Sequence, residues 1–174
     1  MGDSSYTFEN LLPYFERSVQ FTPNTAMRPT NASAEYDASV FSPNGGPLQV
    51  AYPNWVNAIS SWFALGTSEI GLQSLPGFTN GSLLGWSYVA NTIDPASQTR
   101  SSSESSFLRE ALTQTTNLAL YKSTLAKQIL FDQNKRANGV IVDSGGATYQ
   151  ISANKEVIVS AGTVCLSSTF FPHI

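Results

Sequence analysis

Residues 155–162 read Lys155-Glu156-Val157-Ile158-Val159-Ser160-Ala161-Gly162, and the reading of this stretch decides the fold. From Glu156 onward it is a short apolar run closed by three small residues, the pattern of a buried strand flowing straight into a turn. Ser160, Ala161 and Gly162 would leave bare backbone at the carboxyl end of a sheet. Open α/β sheets place nucleotides there, because small residues let phosphate or adenine approach the main chain. A buried strand that ends in Ala-Gly for packing alone has the same sequence, and both readings stand at this point.

Upstream, the second half of the chain is regular. Ser101-Ser102-Ser103-Glu104 offers a choice of helix N-caps, and Phe107, Leu108, Ala111 and Leu112 mark one face of a helix of about a dozen residues ending at Asn117. Four strand-like segments follow: Leu118 to Leu130, Val140 to Val142, Thr148 to Ile151 and the run to Gly162. A loop over 133–139 and a tight turn at Gly145-Gly146 separate the first three. The first half, to about residue 95, is broken by Pro, Gly and Asn. A short helix is expected from Thr7, as N-cap, to Ser18, with Phe8, Leu11, Leu12 and Phe15 on one face and a kink or new turn at Pro13. Residues 21–46 read as loop, Leu48 to Tyr52 as a strand stopped by Pro53, Trp55 to Ile70 as an amphipathic helix, and Leu83 to Val89 as a further strand. Core packing is the reading preferred for the tryptophans over a ligand cage.

Composition removes several classes of function. The 174 residues suit one ordinary domain, and only 12% are charged against about 25% in typical domains, so the surface leans on neutral polar side chains. Nine basic and twelve acidic residues give a net charge of −3, which argues against nucleic acid as a partner. Apolar and aromatic residues spread along the whole length argue against disorder. The single cysteine, Cys165, and the single histidine, His173, exclude a disulfide framework, Cys-rich or His-based metal centres and most Ser-His-Asp or Cys-His arrangements. Any chemistry would therefore borrow its reactive group from a cofactor. No run approaches the roughly 18 apolar residues that span a bilayer, so no membrane partner is expected. The start, Met1 to Tyr6, has neither a basic flank nor an apolar core and reads as no signal peptide; Tyr6 breaks the myristoylation pattern. Two N-glycosylation sequons, Asn31-Ala32-Ser33 and Asn80-Gly81-Ser82, arise either by chance in a Ser-rich chain or from a secretory life.

Seven short stretches, in order, resemble the middle of the glucose-methanol-choline (GMC) oxidoreductases, a family of flavoproteins acting on alcohols. They are Asn10-Leu11-Leu12-Pro13-Tyr14-Phe15; Gly45 to Val50 with Tyr52-Pro53; Arg100 to Ser103 with Phe107-Leu108; Asn117-Leu118; Ile129 to Asp132; Ala137 to Val140; and Lys155 to Gly162. The resemblance covers nearly residues 3–162 and is nearest the fungal aryl-alcohol oxidase and glucose oxidase or dehydrogenase branch. It implies an α+β chain: part of a substrate domain of antiparallel sheet and helices over 1–99, then the β-meander and last strand of a Rossmann-type FAD domain over 100–162, with 163–174 an unmatched tail. It implies FAD as cofactor, a small-molecule alcohol as substrate and hydride transfer from the alcohol carbon to the flavin N5. Ala126 stands where the family uses a strand backbone to hold the adenine, although a plain strand residue is the equal alternative. Ser160-Ala161-Gly162 stands where the family's strand passes the adenosine and pyrophosphate.

Two family parts are missing from these residues. No Gly-x-Gly-x-x-Gly turn, whose following helix holds the FAD pyrophosphate, occurs in the sequence. The family's catalytic His segment does not occur either, and His173 lies in the unmatched tail, so no catalytic residue is assigned. The expectation is an internal piece of an FAD-dependent alcohol oxidoreductase, from an early stop, an unspliced intron or a mis-drawn gene, inactive by itself and weak or null in FAD binding. The alternative is a non-catalytic remnant or interaction module without flavin. An extracellular location for the full-length protein is a guess from the sequons, the scarcity of cysteine and the branch.

Overall fold

The computed structural model describes residues 4–162. The chain divides into two compact units, Met1–Leu118 and Ala119–Ile174.

In the first unit, helix α1 spans Phe8–Ser18. Thr7 caps it as its sequence suggests, the hydroxyl oxygen accepting the Asn10 N–H at 3.3 Å, with Glu9 in the first turn and Arg17 in the last to complement the helix dipole. Pro13 lies inside this one continuous helix and does not divide it. Strand β1, Val19–Thr22, follows without a linker and pairs in parallel with β2, Leu48–Ala51, in the register Val19–Leu48 to Thr22–Ala51. The expected loop over 21–46 thus begins two residues inside a strand. Four residues carry too little alternation to announce themselves, and their partner lies far along the chain. The Gly45-Gly46-Pro47 turn closes against the α1–β1 junction: the Gly46 N–H donates to the Arg17 carbonyl at 3.3 Å, and a Cβ on Gly45 would run into the Val19 carbonyl.

Phe21 organises the small aromatic core here. It stacks on Phe41 with ring centroids 4.1 Å apart, and meets Tyr36 at 5.6 Å and Tyr52 edge-on at 6.0 Å. Among the described residues of this unit, Ala32, Ala34, Ala51 and Tyr52 are the buried apolar ones. Helix α2, Ala58–Glu69, starts where the Asn57 side chain accepts the Ile59 N–H at 3.2 Å. None of its residues is buried, and Trp62 is 73% exposed, so the tryptophans of this region are not core residues among the described residues. Helical spacing gave α2 its place, but Ile59, Trp62, Phe63 and Leu65 stay largely exposed among the described residues. The strand expected over 83–89 is reduced to a single bridge, Ser74 with Trp86, through which Trp86 N–H donates to Gln73 and Leu75 N–H to Trp86, both at 2.9 Å.

The Ser-rich segment does act as a helix start. Ser102 and Ser105 cap each other: each backbone N–H donates to the other's hydroxyl, at 2.9 and 3.3 Å. A π-helical turn, Glu104–Leu108, then passes into α3, Arg109–Gln114, a little short of Asn117. Ser101, buried, accepts the Gln49 N–H at 3.0 Å and so ties this segment to β2.

The second unit is a three-stranded antiparallel meander, β3 (Thr124–Phe131), β4 (Ala137–Ser144) and β5 (Ala147–Ser152), in the order β3-β4-β5. Gly145 and Gly146, at φ +61° and +86°, form the two-residue turn with both positive dihedrals that a twisted hairpin favours. Ile129 and Val142 are its buried apolar residues. Residues 156–161, the expected last strand, pair with no other segment among the described residues. A buried parallel strand exists by virtue of its neighbours, and here Ile158 is 77% exposed.

Candidate functional site

The four residues singled out for cofactor contact all lie in the second unit. Ala126 sits on β3 opposite Val142, at the edge of a bulge: the register steps from Ala126 to Gln128 and leaves Lys127 extra. A bulge bends a strand and frees backbone groups from the ladder, which is how a strand offers its main chain to something outside the sheet. The Ala126 side chain is exposed and small, so it leaves its own backbone open to approach. Lys127 turns its ammonium to Asp143, at 3.7 Å, an exposed pair of modest strength. Ser160, Ala161 and Gly162 are all exposed; Gly162 has φ +80°, a conformation that favours glycine, and a Cβ there would meet open space.

A second constellation, in the first unit, was not found from sequence. Arg28 is only 7% exposed, yet it faces no carboxylate among the described residues, where the ion pair is Lys127–Asp143. Its Nε donates to the Ala32 carbonyl and its Nη1 to the Pro53 carbonyl, both at 2.6 Å. The guanidinium lies over the ring of Tyr88 at 4.9 Å and of Tyr52 at 5.5 Å. Burial pulls its pKa below the ordinary arginine value, with Tyr88 and Tyr52 opposing, and it stays a cation at any physiological pH. Burial likewise pushes the Tyr52 hydroxyl up. The Tyr88 hydroxyl is buried without a hydrogen-bond partner among the described residues. Arg28 and Tyr88 line a cavity of about 400 Å³ together with Pro53, Trp55, Asn91 and Gln98. Just before Gln98 in the chain is a turn in which Asp94 accepts the backbone N–H groups of Ala96 and Ser97. Gln98, at φ +57°, then accepts the Asn54 N–H at 2.7 Å. The one sequence signal for this cluster is that Arg28 is the lone cation between Arg17 and Arg100. Its chemistry as seen is to hold three loop segments together. Among the described residues, no cluster of His, Cys, Asp or Glu could hold a metal ion, and no helix is long and apolar enough to cross a membrane.

The model of the GMC oxidoreductase family matches residues 2–169, and the chain belongs to that family. It is 47% identical over 165 residues to versicolorin B synthase of Aspergillus parasiticus, an alignment that takes in 94% of this chain and 26% of the relative. An FAD-dependent oxidoreductase from Chaetomium thermophilum matches with a TM-score of 0.77 at 27% identity, over 88% of this chain and 26% of that one. A fungal aryl-alcohol oxidase shares the fold with a TM-score of 0.86 at 22% identity, over 97% and 28%. The chain therefore spans about a quarter of the length of the relatives it matches.

The residues present fit FAD in part. Ala126 at a bulge and the open, small-sided Ser160-Ala161-Gly162 backbone suit main-chain contact with a flat, polar group such as adenine. They supply backbone and no charge.

Proposed function

We propose that this chain forms part of an FAD-dependent oxidoreductase that oxidises the CH–OH group of a small alcohol, residues 1–99 standing on its substrate side and 100–162 on its FAD side. The family match over 2–169 carries the reading. When bound, FAD supplies the hydride acceptor. The part played by this chain is to hold and to exclude. The β3 backbone at Ala126 and the Ser160-Ala161-Gly162 backbone present hydrogen-bonding groups to the adenosine portion, and small side chains there keep the approach open. Arg28, clamped by two carbonyls and two tyrosine rings, fixes the loops on the substrate side. The substrate is a small-molecule alcohol; neither nucleic acid nor a membrane is a partner in this reading.

The 174 residues by themselves are inactive and bind FAD weakly or not at all. Two observations support this. No Gly-x-Gly-x-x-Gly turn is among them, and that turn supplies most of the charge-assisted contacts to a dinucleotide pyrophosphate. Residues 156–161 also find, among the described residues, no strand neighbour that would hold Ser160 to Gly162 in a fixed place. The check is to express the 174-residue chain, purify it and record its visible spectrum. A colourless protein without alcohol oxidation is expected, and flavin absorbance near one equivalent per chain overturns the inactivity. Sequencing the full transcript tests the larger reading: it should run through a Gly-x-Gly-x-x-Gly segment and a His-bearing segment in the same frame.

A further inference from the structure

The flavin reading leaves the sequon Asn80-Gly81-Ser82 unused. It sits at the apex of an irregular loop, where the Gly81 N–H donates to the Phe78 carbonyl at 3.2 Å and Gly81 takes φ +89°. The Asn80 side-chain oxygen accepts the Ser82 N–H at 3.0 Å, an Asx turn that brings the hydroxyl residue back toward the amide. That bond spans two residues, so an unfolded nascent chain can make it as well. Asn80, Gly81 and Ser82 are all exposed, and next to them stand Leu83 and Leu84, the latter 93% exposed. A bulky, hydrated chain on the apex would screen this apolar pair from other molecules.

The other sequon is built differently. Its middle residue, Ala32, is buried, and its carbonyl is held by Arg28. Asn31 itself lies on the rim of a cavity of about 550 Å³ walled by Trp62 and Trp86. That segment is clamped at its centre, whereas Asn80, Gly81 and Ser82 are all exposed and the Asn80 side chain touches one neighbour across the loop, the Asp37 carboxylate.

We propose that Asn80 is an N-glycosylation acceptor and that the polypeptide bearing this sequence therefore passes through a secretory lumen. The donor is a polyprenyl-diphosphate-linked oligosaccharide. The Asn80 amide nitrogen forms a bond to the anomeric carbon of the first sugar, the bond from that carbon to the diphosphate oxygen breaks, polyprenyl diphosphate leaves, and one amide proton passes to a base of the transferase. The amide keeps its second hydrogen, enough to retain its contact with the Asp37 carboxylate.

The test takes the native protein from its source organism, digests it after glutamate and maps the peptides by mass. Cleavage after Glu16, Glu35, Glu69 and Glu104 places the two asparagines in separate peptides, 17–35 and 70–104. The expected result is a 70–104 peptide carrying N-acetylhexosamine and hexose, which collapses to one mass with a peptide-N-glycosidase. The sugar should vanish in Asn80→Gln and in Ser82→Ala and return in Ser82→Thr, which keeps the hydroxyl. Mapping reads denatured protein, so a variant that folds poorly still reports. A bare 70–104 peptide overturns the proposal, whether Asn31 is modified or not.

Discussion

At the scale of the residue, Arg28 is the informative one. A guanidinium this buried without a carboxylate is tolerable only because two carbonyls and two aromatic faces replace its water. Arg28→Leu leaves the Ala32 and Pro53 carbonyls without their donors and should cost about 2–4 kcal/mol in chemical unfolding. Arg28→Lys should recover less than half of it, since a point-like ammonium cannot reach both carbonyls as a planar fork does. Asp94 makes a prediction about pH. The Ser97 N–H first, then the Ser97 hydroxyl and the Ala96 N–H, hold its carboxyl below the ordinary value. A depressed pKa means that the contribution is complete above the unfolded value of about 3.9 and fades as pH falls through the lower folded value. Asp94→Asn should therefore be less stable than the parent at pH 6, and denaturation midpoints should converge below about pH 4. Neither role was legible in the sequence. A lone Arg and an Asp before Pro look alike in any loop, and only the folded neighbours tell a clamp from a surface charge.

At the scale of the element, what the sequence showed depended on how local each cause was. The Thr7 cap, the Asn57-preceded helix and the Gly145-Gly146 hairpin are each settled within a few residues, and each formed. Strand β2 was expected from its own alternation and formed, but β1 depends on that partner some thirty residues away, and its second half reads as loop. Leu83 to Val89 and Glu156 to Gly162 had strand composition but found no ladder among the described residues. Glycines separate the two kinds of cause within one hairpin. Gly139→Ala would push a Cβ to 2.8 Å from the Ile151 carbonyl of the neighbouring strand, which should destabilise the meander by about 1–3 kcal/mol. Gly145 needs only its positive φ and has open space around it, so Gly145→Asn should leave the midpoint nearly unchanged. Thermal unfolding followed by circular dichroism distinguishes the pair.

At the scale of the whole molecule, the imbalance is between apolar surface and cover. Small side chains make up most of the buried core of the first unit, while Trp55, Ile59, Trp62 and Phe63 stand in solvent, and the chain spans about a quarter of its relatives' length. Opening should therefore be uneven. Amide exchange is expected to be slowest at Val140 to Val142, bonded to strands on both sides, and close to unfolded rates over 156–161; equal protection in the two stretches would refute this. The sequence by itself determined the family, the order of the pieces and the local caps and turns, because those rest on residue types a few positions apart. Only the tertiary structure decided which of the expected strands found partners, where the buried cation stands and which aromatic residues are left uncovered. A strand, a desolvated charge and a packed face are each defined by a partner, and partners far along the chain are brought into place only by folding.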